Sequence, residues 1–458
     1  ALMWACQYGH DPCALQLIKA GADVNKTEED GWTALMLACE NGHDPCALAT
    51  IKAGAKLEAV NNDGFTALMI ACQNGHDPCA LQLIKAGAKV DQTKEGGWTA
   101  LMVACENGHD PCARVMIEAK VDVDKTTEEG WTALMFACCN GHDQCALHLI
   151  NASANLEMTR GRTVSRRRTP LTYEGRTALM FACLNGHDLC ALQLVKAGAD
   201  VNRADNGGVT ALMHACSRGQ DDCVLVMLDA GAGVKMTVKS ESDLTVLADE
   251  GMTALMFACR NGHGSCAHQL IKAKAGVHTV DNDGMTALMH ACNSGQDLCT
   301  RYLIDAKADV NTAGNGGMTA LMHACYSGQD ACVLQLIEAK ADVNHAMTDG
   351  RTALMSACKN GHDHCARVMI EAGADIDMNT ANGSTALMFA CFYGHNRCAR
   401  VMIEAGADIH KTTRDGRNAY MLADENGHVQ CAYQVIMAIV QQKNVLEFLK
   451  TYEKSQEE

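Results

Sequence analysis

The residues of this chain that could do chemistry are its cysteines and histidines, and both recur at fixed spacing. Most of the 26 cysteines fall in pairs seven residues apart, such as Cys6/Cys13, Cys39/Cys46, Cys72/Cys79 and Cys391/Cys398. A histidine often lies between them, as in Cys39, His43 and Cys46. Thiolate and imidazole are zinc ligands, but each unit offers three candidates at unsuitable spacing, and no Cys-x-x-Cys occurs. Recurrence along the whole chain points to packing, because free cysteine behaves as a small buried hydrophobe. Cys139 and Cys431 stand outside the paired scheme, and Cys139 takes a position that is polar in most copies, so it is the expected exposed thiol. A disulfide framework belongs to small secreted domains without a core. This many thiols beside a core-forming pattern places the chain, as an expectation, inside the cell, in the cytoplasm.

The histidines obey a rule within the sequence. Most copies have Gly-His at one turn, from Gly9-His10 to Gly427-His428. The copies with Gly-Gln instead (Gln220, Gln296, Gln329) carry a histidine earlier in the same unit: His214, His290 and His323. This predicts a hydrogen-bond network between helix and turn. A row of catalytic bases is disfavoured, since no nucleophile or acid travels with them. No phosphate loop, nucleophile elbow or metalloprotease helix is present. An active site needs a unique constellation, and every candidate here recurs. No catalytic residue, cofactor or metal site is expected, and the chain reads as a non-enzyme.

These residues ride on one repeating stretch, Gly31-Trp-Thr-Ala-Leu-Met-Leu-Ala-Cys-Glu-Asn-Gly-His-Asp-Pro-Cys46. Its anchor leucine returns as Leu2, Leu35, Leu68, Leu101, Leu134, Leu179, Leu212, Leu255, Leu288, Leu321, Leu354 and Leu387, with Tyr420 in a degenerate thirteenth copy. The step is 33 residues, except 45 after Leu134 and 43 after Leu212. A fixed period of this size predicts a solenoid whose units bury their apolar faces against neighbours. Within a unit, Thr33 should cap a short helix from Ala34 to about Glu40, ended by Asn41-Gly42. Asp44 should cap a second helix starting at Pro45, where a missing N–H costs nothing. Gly54 should close it, and a hairpin-like finger should run on to Gly64.

The period, the Thr-x-Leu-x-x-Ala opening, the Gly-His turn and the closing Gly-Ala-Asp-Val-Asn of Gly21–Asn25 and Gly198–Asn202 resemble ankyrin repeats over nearly the whole chain. The departures are regular: Ala34 and Met36 replace the family's Pro and His, and Cys39 and Cys46 stand at small apolar positions. The resemblance implies an all-α ankyrin-repeat solenoid of thirteen helix-turn-helix units, with fingers and first helices lining a concave face that binds a protein partner. The array should fill 1–440, with insertions within 156–174 and 234–250, and a helical cap and polar tail over 441–458.

The residue after each finger glycine varies in blocks: Trp32, Phe65, Trp98 and Trp131, then Arg176 and Val209, then Met252, Met285 and Met318, then Arg351, Ser384 and Arg417. By resemblance this position faces the groove, where Trp and Arg are common anchors and Met gives adaptable apolar contact. The alternative is that these side chains rest on neighbouring fingers as packing. Acids on the first fingers (Glu28, Glu29, Asp30, Asp63, Glu95, Glu128, Glu129) suit a partner segment with apolar side chains and Lys or Arg between them. The first insertion carries Arg166, Arg167 and Arg168 beside Ser165 and Thr169, a basic loop open to weakening by phosphorylation. The second carries Glu241, Asp243, Asp249 and Glu250.

A formal net charge of −16 argues against nucleic acid, which requires a dense basic face. No apolar run approaches the ~18 residues of a spanning helix. The chain opens inside a first helix at Ala1, which reads as a cut boundary. Besides a binding scaffold, the sequence leaves open a structural subunit of a large assembly, or the regulatory array of an enzyme or channel that begins before Ala1.

Overall fold

The computed structural model describes residues 1–161, 174–239 and 249–457, in 26 α-helices joined by turns, with isolated antiparallel bridges such as Thr27↔Thr33 and Val60↔Thr66 at the fingers. Arg166, Arg167 and Arg168 lie outside the described residues, as does most of the acidic insertion. Two compact units are present, one built on Ala1–Gly233 and the other on Val234–Val238 and Ala248–Glu458. In each unit, first helices pack on first helices of adjacent repeats and second helices on second helices.

Local chemistry sets each helix start. In the second repeat the first helix is Ala34–Glu40, and Thr33 Oγ1 accepts the N–H of Met36 at 3.2 Å, as the N-cap rule requires. The same bond recurs to the repeat of Thr385–Met388. Methionine also closes the cap from the other side. The sulfur of Met256 accepts the N–H of Thr253 at 3.4 Å, and Met213 does the same for Thr210 at 3.5 Å. A thioether here replaces the Glu or Gln of an ordinary capping box.

The second helix differs from the sequence expectation. It is Asp44–Lys52, beginning at Asp44 itself with His43 as N-cap, and no side chain caps it. The aspartate occupies the first turn, where its charge suits the helix dipole. It also serves the neighbouring repeat: Cys46 donates its S–H to Asp11 Oδ1 at 2.9 Å, and Cys365 to Asp330 Oδ1 at 2.9 Å.

The cysteines pair across repeats. The first thiol of one unit lies against the second thiol of the next: Cys39 with Cys79, Cys72 with Cys112 and Cys183 with Cys223 in one unit, Cys325 with Cys365 and Cys358 with Cys398 in the other. The neighbouring thiol, and then burial, push the first-listed member of Cys39/Cys79, Cys72/Cys112 and Cys358/Cys398 well above the ordinary thiol range. No disulfide joins any of them.

The last helix, Val429–Glu457, runs 29 residues; Val435 is buried, whereas Ile436, Met437 and Val440 are exposed. Among the described residues no helix is long and apolar enough to cross a membrane.

The exposed thiol is Cys13, not Cys139. Cys139 is half-buried, and Asn185 Nδ2 donates to its sulfur at 3.3 Å, whereas Cys13 is exposed. Brief iodoacetamide treatment of the native protein, read by peptide mass spectrometry, should modify Cys13 first and Cys139 more slowly. The other thiols should react only on unfolding. Fast labelling spread over many cysteines would show that the thiol pairs are not core.

Candidate functional site

The finger residues Trp32, Phe65, Trp98 and Trp131 are all half-buried. The rings of the fourth and fifth repeats pack against first-helix side chains. Trp98 lies 4.5 Å from Phe136 between centroids, and Trp131 lies 5.0 Å from Phe136 and 4.6 Å from Phe181. Each ring thus covers a helix residue while keeping part of its surface open. The chain's own cations occupy some of that surface: Lys94 Nζ is 4.1 Å from the Phe65 ring centre, and the Arg160 guanidinium is 5.1 Å from that of Trp131. Glu28, Glu29, Asp30, Asp63, Glu95, Glu128 and Glu129 are exposed on the same fingers. Glu106, on the first helix of the fourth repeat, has its pKa raised by burial, with Lys94 pulling the other way.

The methionine block divides. Met252 is fully buried, with Arg260 Nη1 at 3.3 Å from its sulfur, so it offers a partner no surface. Met285 and Met318 are half-buried. Arg176 is also withdrawn: its Nε donates to Asp205 Oδ2 at 3.3 Å in a buried ion pair.

That aspartate explains the helix histidines. His214 Nε2 donates to Asp205 Oδ2 at 2.9 Å, and His290 Nε2 to Asp281 Oδ2 at 2.6 Å. The expected helix–turn bonding forms in part: these two rings face their own finger, while the turn histidines bond the first helix of the preceding repeat, His76 Nε2 with the Glu40 carbonyl at 3.0 Å and His395 Nε2 with that of Lys359 at 3.0 Å. They lie so close to the preceding turn that a Cβ on Gly9 would sit 2.7 Å from His43 Nδ1, and Gly9 is also at φ +69. Gln296 and Gln329 bond within their own turns, Nε2 to the carbonyls of Ser294 and Ser327 at 3.2 Å each. The sequence did carry a signal. Among the finger residues whose N–H meets the carbonyl of the variable position, only Asp205 and Asp281 are aspartates, and both fall in copies with a helix histidine.

The third such copy lacks the carboxylate, since Gly314 holds the place of Asp281. Burial, then the charge of His290, push His323 down to about 4. For His214, burial lowers the pKa, the Asp205 hydrogen bond raises it, Arg176 lowers it again, and the net shift is down. Burial would raise Asp205, but the His214 bond and charge, the Val209 N–H and Arg176 hold it low.

These directions fix a pH dependence. A histidine depressed in the folded state contributes stability above its unfolded pKa of about 6.5, and that stability is lost as pH falls. For His323 the window runs from about pH 6.5 to about 4, worth on the order of 3 kcal/mol. Phenylalanine fills the same register at Phe136, Phe181, Phe257 and Phe389. His323→Phe should therefore flatten the fall in urea midpoint between pH 7 and pH 4.5. An equally steep fall in both proteins would assign the acid sensitivity elsewhere.

The family model for ankyrin repeats, three copies to the model, matches residues 2–94, 90–160, 162–240, 232–313, 255–347, 302–380, 321–413 and 372–447. Among solved structures the chain is similar to the human ASB11 ankyrin repeat domain, at 25% identity and TM-score 0.43, over 49% of this chain and 97% of that one. No curated protein matches it. Ankyrin repeats are protein–protein interaction modules, typically without catalysis of their own. With the family model spanning nearly its whole length, the chain belongs to the ankyrin repeat family.

Proposed function

We propose that this chain is a non-catalytic scaffold that binds a protein partner through the finger-and-helix groove of its first unit. The partner segment carries apolar side chains with lysine or arginine between them. The observation that carries this reading is that the ring faces of Phe65 and Trp131 already hold cations, Lys94 and Arg160, while exposed carboxylates line the same fingers. A ring face flanked by carboxylates is a site for a basic side chain, and the partly open rings supply apolar contact beside it. The carboxylates speed encounter and the rings hold the complex. Met285 and Met318 offer a second, more adaptable apolar contact in the second unit.

Trp98 and Trp131 also pack on Phe136 and Phe181, so their loss affects stability as well as binding. The test is a Trp98→Ala, Trp131→Ala protein assayed well below its melting temperature against a partner recovered by affinity capture with the unaltered chain. Binding should weaken by about 2 kcal/mol or more, as for buried aromatic anchors. Normal binding by the folded double variant would reduce the rings to inter-repeat packing and end this reading.

A further inference from the structure

The second unit carries a different surface. Tyr326, Lys359 and Phe392 occupy the same register of the first helix in the tenth, eleventh and twelfth repeats, so they form one row with one side chain per repeat. Tyr326 is 48% exposed and Phe392 39%, and Tyr393 beside it is 42% exposed, so three aromatic side chains stand at solvent-facing registers that are polar in most copies. In the first unit the same register holds Gln7, Glu40, Gln73, Glu106, Cys139, Leu184 and Ser217, with no basic residue. The stretch Tyr326, Lys359, Phe392 is aromatic and cationic, flanked in the row by Asn293 and Glu425.

The charges around the second row are mostly satisfied. Arg351 Nε donates to Asp349 at 2.6 Å. Arg417 pairs with Asp415 and with Glu425, the next member of the row. Lys359 is half-buried and has no carboxylate within 4.0 Å among the described residues. Its Nζ lies 5.7 Å from the Tyr393 ring centre, an aromatic neighbour but no counter-ion. The finger of the twelfth repeat carries a smaller residue. Ser384 stands where the second to fifth repeats have Trp or Phe, and Phe389 of the same repeat is half-buried, whereas Phe136 under its tryptophans is 7% exposed.

We propose that the row Tyr326, Lys359, Phe392 is a docking surface for an extended acidic segment of a partner protein, with a carboxylate on Lys359 and an apolar side chain on either side. Repeats stack at about 10 Å, the distance between packed helices. An extended chain advances about 3.3 Å per residue. The complementary segment therefore has an apolar residue, then Asp or Glu three positions on, then a second apolar residue three further on. This rests on the reading of the chain as a binder of protein segments, but at a different place and with the opposite charge preference.

The probe is a fluorescent nine-residue peptide with leucine second, glutamate fifth and leucine eighth, the rest serine. Its counterpart has lysine in place of glutamate. Anisotropy titration of the full chain should show saturable, salt-sensitive binding of the acidic peptide only. Tyr326→Ala, Phe392→Ala and Lys359→Glu should each weaken it by about tenfold or more, with the melting temperature unchanged. Lys359→Glu should in turn bind the lysine peptide, a reversal that lost structure cannot produce. The proposal is overturned if neither peptide binds, if both bind alike, or if Lys359→Glu changes nothing. Trp98→Ala with Trp131→Ala should leave the acidic peptide bound. If that variant abolishes binding instead, the peptide is read by the first unit, and the proposal fails while the first-unit groove stands.

Discussion

Every other feature depends on the contact between one repeat and the next. A single unit is two short helices, below the length at which helices persist alone in water. Its leucine, methionine and cysteine side chains are buried because an adjacent copy covers them, as the packing of Cys39 on Cys79 of the next repeat illustrates. The same contact satisfies polar groups. Cys46 reaches the Asp11 carboxylate of the preceding repeat, and His76 reaches the Glu40 carbonyl. Stability then accumulates as a sum over neighbouring interfaces. The register of 33 residues must hold, because each of these bonds joins fixed positions in adjacent copies.

That dependence explains what was legible in the sequence. Thr33 as a cap, the helix over Ala34–Glu40 and the Gly42 turn are local matters, and local pattern reveals them. The partner of a cysteine is not local. The sequence shows Cys39 and Cys46 together, yet Cys39 packs on Cys79. Asp44 looks like a cap because aspartate before proline usually is one. Here the chain enters the helix one residue earlier, and the equivalent Asp11 instead accepts a thiol proton from the next repeat. The variable position after the finger glycine was visible as variable, but its burial depends on what lies beside it. Met252 is closed over and Trp131 is partly open, although both follow a finger glycine at the equivalent position.

The histidine copies show how an array absorbs a polar side chain in its first helix. In two copies a finger aspartate was recruited, and the ring became part of a buried pair. In the third, Gly314 stands in the place of that aspartate, and burial, with the His290 charge, holds the ring's pKa down. The fold tolerates both because the surrounding interface, repeated along the chain, is not at risk from one weaker site.

The same tolerance lets one chain carry surfaces of opposite sign. Positions that stack repeats are held nearly constant, while the residue after the finger glycine and the row at Glu40, Tyr326, Lys359 and Phe392 change freely. A net charge of −16 opposes the long-range approach of an acidic partner at low salt. At physiological salt the screening length is about 8 Å, shorter than the ~10 Å between stacked helices. A ligand lying along the row therefore feels mainly the repeat beneath it. Lys359, near the Tyr393 ring and with no carboxylate within 4.0 Å among the described residues, is a local positive charge within an acidic protein, and its repeat can be read with less weight from the total charge.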